Sequence, residues 1–326
     1  MIGGDGRMEA ALRFLIRRAE EGHRLLRSAE FAVWGIGRRI VRENRGEQGA
    51  CWDRIVRCAD PESAARGADV VILPLPVSRD GTGLFVSGEE GDGAGPELLP
   101  LIREIGPGTL LFGGRIPETA RELARAGGLK VFDYFDDEAF QIRNAVPTAE
   151  GAVAACIDTL PVTVAGLRCT VFGYGRVGRT LAQRLLALGA SVTAAARSPA
   201  DRARAESDGC RAVPLEDWRR RPGDDPALFN TIPARILDGE TVGRMRPGVV
   251  LFELAPGRDG SIGCDREAAA ERGIRVISLP SLPGKCAPVT AGEIIGAAVL
   301  AELEAEAGPG AETKDGADRR AEGGRL

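Results

Sequence analysis

Histidine is almost missing from this sequence: His23 is the only one among 326 residues. A serine–histidine–acid triad and a histidine-rich metal site each need an imidazole placed in them, so both are nearly excluded and no metal is expected. The seven cysteines (51, 58, 156, 169, 210, 264 and 286) form no C-x-x-C pair and read as reduced intracellular thiols, several of them buried. Long apolar runs are lacking too. None reaches the roughly 18–20 residues of a membrane span, and Met1-Ile2-Gly3-Gly4-Asp5 lacks the charged segment and apolar stretch of a signal peptide. Neither sign of charge dominates, with 43 basic against 47 acidic residues, and no basic stripe suggests nucleic acid. These absences leave a cytoplasmic protein that meets a small ligand through local groups, without membrane or nucleic-acid partners.

What is present is regular alternation. The 44% hydrophobic content suffices for two domains, each with its own core. Helical spacing over 8–20, 96–105 and 117–126 alternates with strand-like runs at 30–34, 68–74, 109–112 and 130–134. A second series places strands at 169–172, 191–196, 228–230, 249–253 and 275–278. The fold class expected is α/β: two Rossmann-like doubly wound domains with parallel sheets, joined by a linking helix. The boundaries read as 1–147 for an N-terminal substrate domain and 148–290 for a dinucleotide domain, with 148–160 the linking helix. A C-terminal helix over 291–306 would pack back on the first domain. The tail 307–326, nearly devoid of large apolar side chains, is expected to be disordered.

The most informative segment is Thr170-Val171-Phe172-Gly173-Tyr174-Gly175-Arg176-Val177-Gly178. A G-x-G-x-x-G pattern alone is weak, but here a strand precedes it and a helix with Val177, Leu181, Leu185 and Leu188 follows. Gly173 allows the tight turn, Gly175 lets the backbone approach a pyrophosphate, and Gly178 lets helix and sheet close up. The next strand ends at Ala196-Arg197-Ser198, where NAD binders usually carry an acidic residue. Arg197 and Ser198 suit the extra phosphate of NADP instead. A similar start, Trp34-Gly35-Ile36-Gly37, has Ile40 at the third position and is read as a decoy.

Further segments stand outside a bare Rossmann reading: Asn144-Ala145-Val146-Pro147-Thr148-Ala149-Glu150-Gly151, Asn230-Thr231-Ile232-Pro233, and Leu282-Pro283-Gly284-Lys285-Cys286-Ala287-Pro288-Val289-Thr290-Ala291-Gly292. With the glycine loop and Ala196-Arg197-Ser198, in this order, they make the chain resemble the family of dipicolinate synthase A subunits from spore-forming bacteria, from Gly3 to about Glu306. The resemblance implies a two-domain fold like that of D-2-hydroxyacid dehydrogenases. It also implies oxidation, with dehydration, of 4-hydroxy-tetrahydrodipicolinate to dipicolinate in the mother-cell cytosol during sporulation. The flavoprotein-like B subunit of dipicolinate synthase is the implied partner, and a homodimer is compatible with the architecture.

Read physically beside that resemblance, Asn230, Thr231 and Pro233 follow a strand at the carboxyl edge of the second sheet, near the expected nicotinamide ribose. The cofactor set is completed by Gly173, Tyr174, Gly175, Arg176, Val177, Gly178, Arg197 and Ser198. Thr148 is expected to N-cap the linking helix and, with Arg7, Ser78, Arg79 and Thr290, to hold substrate at the interdomain cleft. Pro283-Gly284-Lys285 is read as a loop, and Glu150 and Lys285 are the candidates for the proton-transferring group. The chain departs from the family in three places. Only Met1 and Ile2 precede Gly3-Gly4-Asp5, so either the true start lies upstream or the first sheet has a gap; Val289 replaces a lysine; Glu253-Leu254-Ala255-Pro256 replaces Asp-Leu-Ala-Ser. Two rival readings remain: a D-2-hydroxyacid dehydrogenase, whose histidine acid has no counterpart in the second domain, and a non-catalytic NADP-binding protein serving a flavin-dependent synthase.

Overall fold

The computed structural model describes residues 1–36, 52–87, 95–255 and 263–308. Gly37 and Ile40 of the decoy loop, Pro256 and Gly257, and nearly all of the tail read as disordered lie outside the described residues. The chain divides into two compact units: Met1–Gln141 with Pro288–Leu326, and Ile142–Ala287.

In the first unit the Asp5 carboxylate accepts the Arg7 amide and opens α1 (Gly6–Glu20). β1 (Phe31–Val33), β2 (Ile55–Arg57), α2 (Pro61–Ala65), β3 (Val70–Ile72), α3 (Leu98–Glu104), β4 (Leu110–Gly113), α4 (Glu118–Ala126) and β5 (Lys130–Asp133) follow. β1 pairs with β2, and β3-β4-β5 form a parallel sheet. Met1–Gly3 lie between the two sets. The Ile2 amide donates to Ile72 O at 3.0 Å, and Trp34 N to Met1 O at 3.1 Å. The expected gap is therefore bridged by a minimal strand. Pairs so short add little ladder, and burial of Ile2, Val71, Leu73 and Leu111 in one cluster carries this part of the sheet.

α5 (Glu138–Thr159) leads from the first unit into the second. It begins at Glu138, not at Thr148, because Asp137 accepts the amides of Ala139 and Phe140 at 2.9 and 3.1 Å. Pro147 lies inside the helix, and Thr148 is no N-cap: its hydroxyl donates back to Asn144 O at 2.8 Å, a mid-helix bond.

The second unit runs β6 (Arg168–Phe172), α6 (Arg176–Ala187), β7 (Ser191–Ala196), α7 (Pro199–Ser207), β8 (Arg211–Pro214), α8 (Leu215–Arg220), β9 (Ala227–Asn230), α9 (Gly239–Arg244), β10 (Val250–Glu253), α10 (Arg266–Glu271), β11 (Arg275–Ser278) and α11 (Leu282–Cys286). Its six strands are all parallel in the order β11-β10-β9-β6-β7-β8. That is a doubly wound sheet whose order reverses between β6 and β9, the crevice where such sheets bind ligands. The central strands β9 and β10 are buried throughout, as a parallel sheet covered on both faces requires. The sequence reading missed β8, an edge strand of half-exposed residues ending in a proline. Pro283-Gly284-Lys285 forms part of the short helix α11, not a loop.

α12 (Pro288–Ala307) returns to the first unit and lies along α1. A Cβ on Gly292 would stand 2.2 Å from Arg7 O, and one on Gly296 2.6 Å from the Phe14 ring. Only glycine permits so close an approach, which lets Ile295 and Val299 join Leu12, Leu15 and Ile16 in one core.

Candidate functional site

At the point where the strand order reverses, β6 turns into α6 through Gly173-Tyr174-Gly175. The three loop glycines are required for different reasons. Gly173 has φ +86°, a left-handed backbone that side chains disfavour. A Cβ on Gly178 would sit 2.2 Å from Gly173 O and 3.0 Å from Thr231 Oγ1, so helix and turn could not close. Gly175 has ordinary dihedrals and open space where its Cβ would be. Nothing among the described residues demands glycine there, and the open space leaves room for a ligand to approach the backbone. Gly175 is also the N-cap of α6 and supplies no capping side chain, so the first amides of the helix remain for an outside acceptor. Arg176 and Val177 open this helix, with Arg176 exposed. The loop thus fits a dinucleotide pyrophosphate.

Tyr174 does not point at that ligand. Its ring is buried among Val171, Leu181 and Val192, and its hydroxyl donates to Asp208 at 2.9 Å. Its side chain being engaged there, the backbone of Tyr174 is what the loop presents. Burial raises the Tyr174 phenol well above its ordinary range.

At the end of β7, Arg197 is exposed. Ser198 is the N-cap of α7, its Oγ accepting the Asp201 amide at 3.4 Å. The sequence reading missed Arg202, one turn into α7. Its Nη1 donates to Ala196 O at 3.0 Å and to Arg197 O at 2.7 Å, which brings a second guanidinium to the end of β7. Helical spacing from Ser198 was the one signal that pointed to it.

On the other side of the crevice, the Thr231 hydroxyl donates to Phe172 O at 2.8 Å and lies beside Gly173 and Gly178. Pro233 is exposed just beyond. Asn230, in the segment whose backbone is expected near the nicotinamide ribose, is fully buried. Its Nδ2 donates to both oxygens of Glu253 at 2.9 Å and to Ile232 O at 3.1 Å, while its Oδ1 accepts the Ile232 amide at 3.0 Å. The Asn230 side chain therefore shapes the loop. Glu253, also fully buried, accepts the amides of Ala255 and Gly263 at 3.1 Å as well. Burial pushes its carboxyl above the ordinary value, against those hydrogen bonds.

Both candidates for the proton-transferring group are exposed. Glu150 is exposed on α5 and pairs with Arg184, 3.4 Å away in the last turn of α6. That places it about 12 Å along the helix from Arg176 at 1.5 Å per residue. Lys285 is exposed on α11. In the first unit, Arg7 is not a free clamp. It is buried, grips Asp5 through Nε (2.9 Å) and Nη2 (2.8 Å), and also donates to Leu75 O. Ser78 donates to Asp80 at 3.0 Å and accepts the Gly81 amide at 2.9 Å, while the Arg79 guanidinium lies 4.1 Å over the Phe85 ring. The backbone amides of Thr82 and Gly83, with the Ser78 hydroxyl, hold the Asp80 carboxyl well below its usual range. Thr290 is exposed in the first turn of α12.

Sheet order, an uncapped helix behind a glycine turn, and a basic strand end together define a nicotinamide-dinucleotide unit of the dehydrogenase kind. Residues 147–258 match the family model of the D-isomer specific 2-hydroxyacid dehydrogenase NAD binding domain. Over 202 residues the chain is 33% identical to the A subunit of dipicolinate synthase from Bacillus subtilis (strain 168), covering 61% of this chain and 67% of that protein. The crystal structure of the same synthase's A chain from Bacillus subtilis superposes with a TM-score of 0.74 at 26% identity, covering 94% of each chain. That of the A subunit from Bacillus halodurans gives 0.74 at 23% identity over 93% of this chain and 95% of that one, a likeness of fold. The chain belongs to the family of dipicolinate synthase A subunits. Its role is dehydrogenase-like, with a nicotinamide cofactor.

Proposed function

We propose that this chain is the NADP-dependent dehydrogenase component that turns 4-hydroxy-tetrahydrodipicolinate into dipicolinate. In this reading it works beside the flavoprotein-like B subunit in the mother-cell cytosol of a sporulating cell. The observation that carries the reading is the 33% identity to a dipicolinate synthase A subunit, joined to a glycine loop whose middle glycine faces open space. The preference for NADP rests on Arg197, Ser198 and Arg202 at the end of β7, where an acidic residue would instead bond the 2′-hydroxyl of NAD. The first unit with α12 serves the substrate, and the second the cofactor.

The reaction removes one water, one hydride and one proton from the ring, and aromatisation drives it. Bound NADP supplies the hydride acceptor. The chain contributes the pyrophosphate seat at Gly173–Gly178, the loop held by Asn230 and Glu253, and a proton acceptor. Glu150, paired with Arg184, and Lys285, which can accept a proton only as the neutral amine, are the two candidates for that acceptor.

The test mixes the purified chain, alone and with its cognate B subunit, with freshly made substrate and NADP. Dipicolinate is followed by near-ultraviolet absorbance and NADPH at its own band. Matched growth of both signals, abolished by Gly175→Asp, is the expected result. Dipicolinate without NADPH would assign the oxidation elsewhere and leave this chain a cofactor-binding partner. No dipicolinate under any condition would overturn the substrate.

A further inference from the structure

Asp208 lies outside the glycine loop, as the C-cap of α7, yet its carboxylate joins three parts of the second unit. From the loop it accepts the Tyr174 hydroxyl at 2.9 Å. From α6 it accepts Arg179 Nε at 2.8 Å and Nη2 at 3.3 Å, and Gln183 Nε2 at 3.5 Å one turn further on. The third part is α7 itself. Tyr174 is 3% exposed, and Cys210 Sγ lies 3.8 Å from its hydroxyl.

A dinucleotide loop needs the residue between its first two glycines only for its backbone. Here the side chain is an anchor, with the ring in the core and the hydroxyl on a carboxylate. The anchor fixes the peptide planes on either side of Tyr174, including the one that carries the Gly175 amide. The same carboxylate restrains Arg179 in the first turns of α6. α7 therefore meets the cofactor region at both ends: Ser198 and Arg202 begin it at the ribose, and Asp208 closes it at the phosphate loop.

We propose that Asp208 is a positioning residue for the cofactor: through Tyr174 and Arg179 it holds Gly173–Arg176 in the shape that receives the pyrophosphate. The proposal rests on the nicotinamide-cofactor reading. Its physical basis is preorganisation, since a loop held in its bound shape loses less freedom on binding.

The experiment measures NADPH affinity by fluorescence titration for the full chain and for Asp208→Asn, Tyr174→Phe and the double variant. Thermal midpoints and amide exchange across 173–177 are recorded for each. We expect each single variant to weaken NADPH about tenfold, the scale of one charge-assisted hydrogen bond. The double variant should be no worse than the poorer single one, because both remove the same link. Amide exchange in the loop should speed up, and Asp208→Glu should restore part of the affinity. Affinities equal to wild type, fully additive losses, or weakening that follows the thermal midpoint with loop exchange unchanged would each overturn the proposal. A wild-type chain that binds neither NADPH nor NADH would overturn the cofactor reading itself, a distinct outcome.

Discussion

A glycine in a sequence does not say why it is there, and the three loop glycines show how the surrounding space supplies the reason. A methyl on Gly178 meets the Gly173 carbonyl oxygen at 2.2 Å, whereas one on Gly175 meets nothing among the described residues. Gly178→Ala should therefore cost stability, by the roughly 1–3 kcal/mol of an overpacked site, seen as a lower thermal midpoint, and lose cofactor as a consequence. Gly175→Ala should keep the midpoint and lose cofactor directly. Paired melting and NADPH titration separate the two; equal midpoints would refute the distinction. Arg197 and Arg202 are the second test at this scale. Arg197→Glu and Arg202→Ala should each shift the NADP-to-NAD preference toward NAD, by roughly tenfold for a lost charge-assisted hydrogen bond. Ratios of kcat/KM for the two cofactors read this out, and an unchanged ratio would remove these arginines from specificity. Gly173, Gly175, Gly178 and Arg197 were legible because turn and strand-end positions follow from a local pattern. The inward turn of Tyr174 and Asn230 was not, because side-chain direction at those positions depends on partners at 208 and 253.

A buried carboxylate ties several elements of the second unit together. Glu253, at the end of β10, ties β9 through Asn230 and the chain that follows through Ala255 and Gly263. Burial holds its carboxyl above the ordinary 4.5, opposed by those hydrogen bonds and by Arg266 nearby. A carboxyl raised in the folded chain binds its proton more tightly there than in the unfolded chain. Its contribution to stability is therefore complete below its ordinary 4.5 and is lost as pH rises through the folded value. Glu253→Gln removes that titration. Urea unfolding of the variant should show a flatter pH dependence than the wild type above that point, although misplacing one amide donor lowers its stability overall. Identical slopes would show that Glu253 titrates alike in both states. At this scale the sequence pattern located most strands but not the length of α5 or the existence of β8. Pro147 signals a break that a preceding cap at Asp137 overrides, and β8 has too few apolar residues to show a period.

For the molecule as a whole, cofactor binding should appear as stability. A ligand that binds only the folded state at one hundred times its Kd stabilises by about 2.7 kcal/mol. NADPH should accordingly raise the unfolding transition and increase amide protection in peptides from Ile142–Ala287, the unit that holds the glycine loop. Protection confined to the other unit would contradict the assignment of the loop.

The sequence by itself determined the alternation of strand and helix, the glycine turn and the basic strand end beside it. These rest on periods and turns that span a few residues, so spacing alone reveals them. The tertiary structure decided which polar side chains are engaged inside the protein. Arg7 is engaged with Leu75, 68 residues away; Tyr174 with Asp208, 34 away; Asn230 with Glu253, 23 away. Partners so distant leave no mark in local spacing, because the fold brings them together only once the sheets and helices have packed.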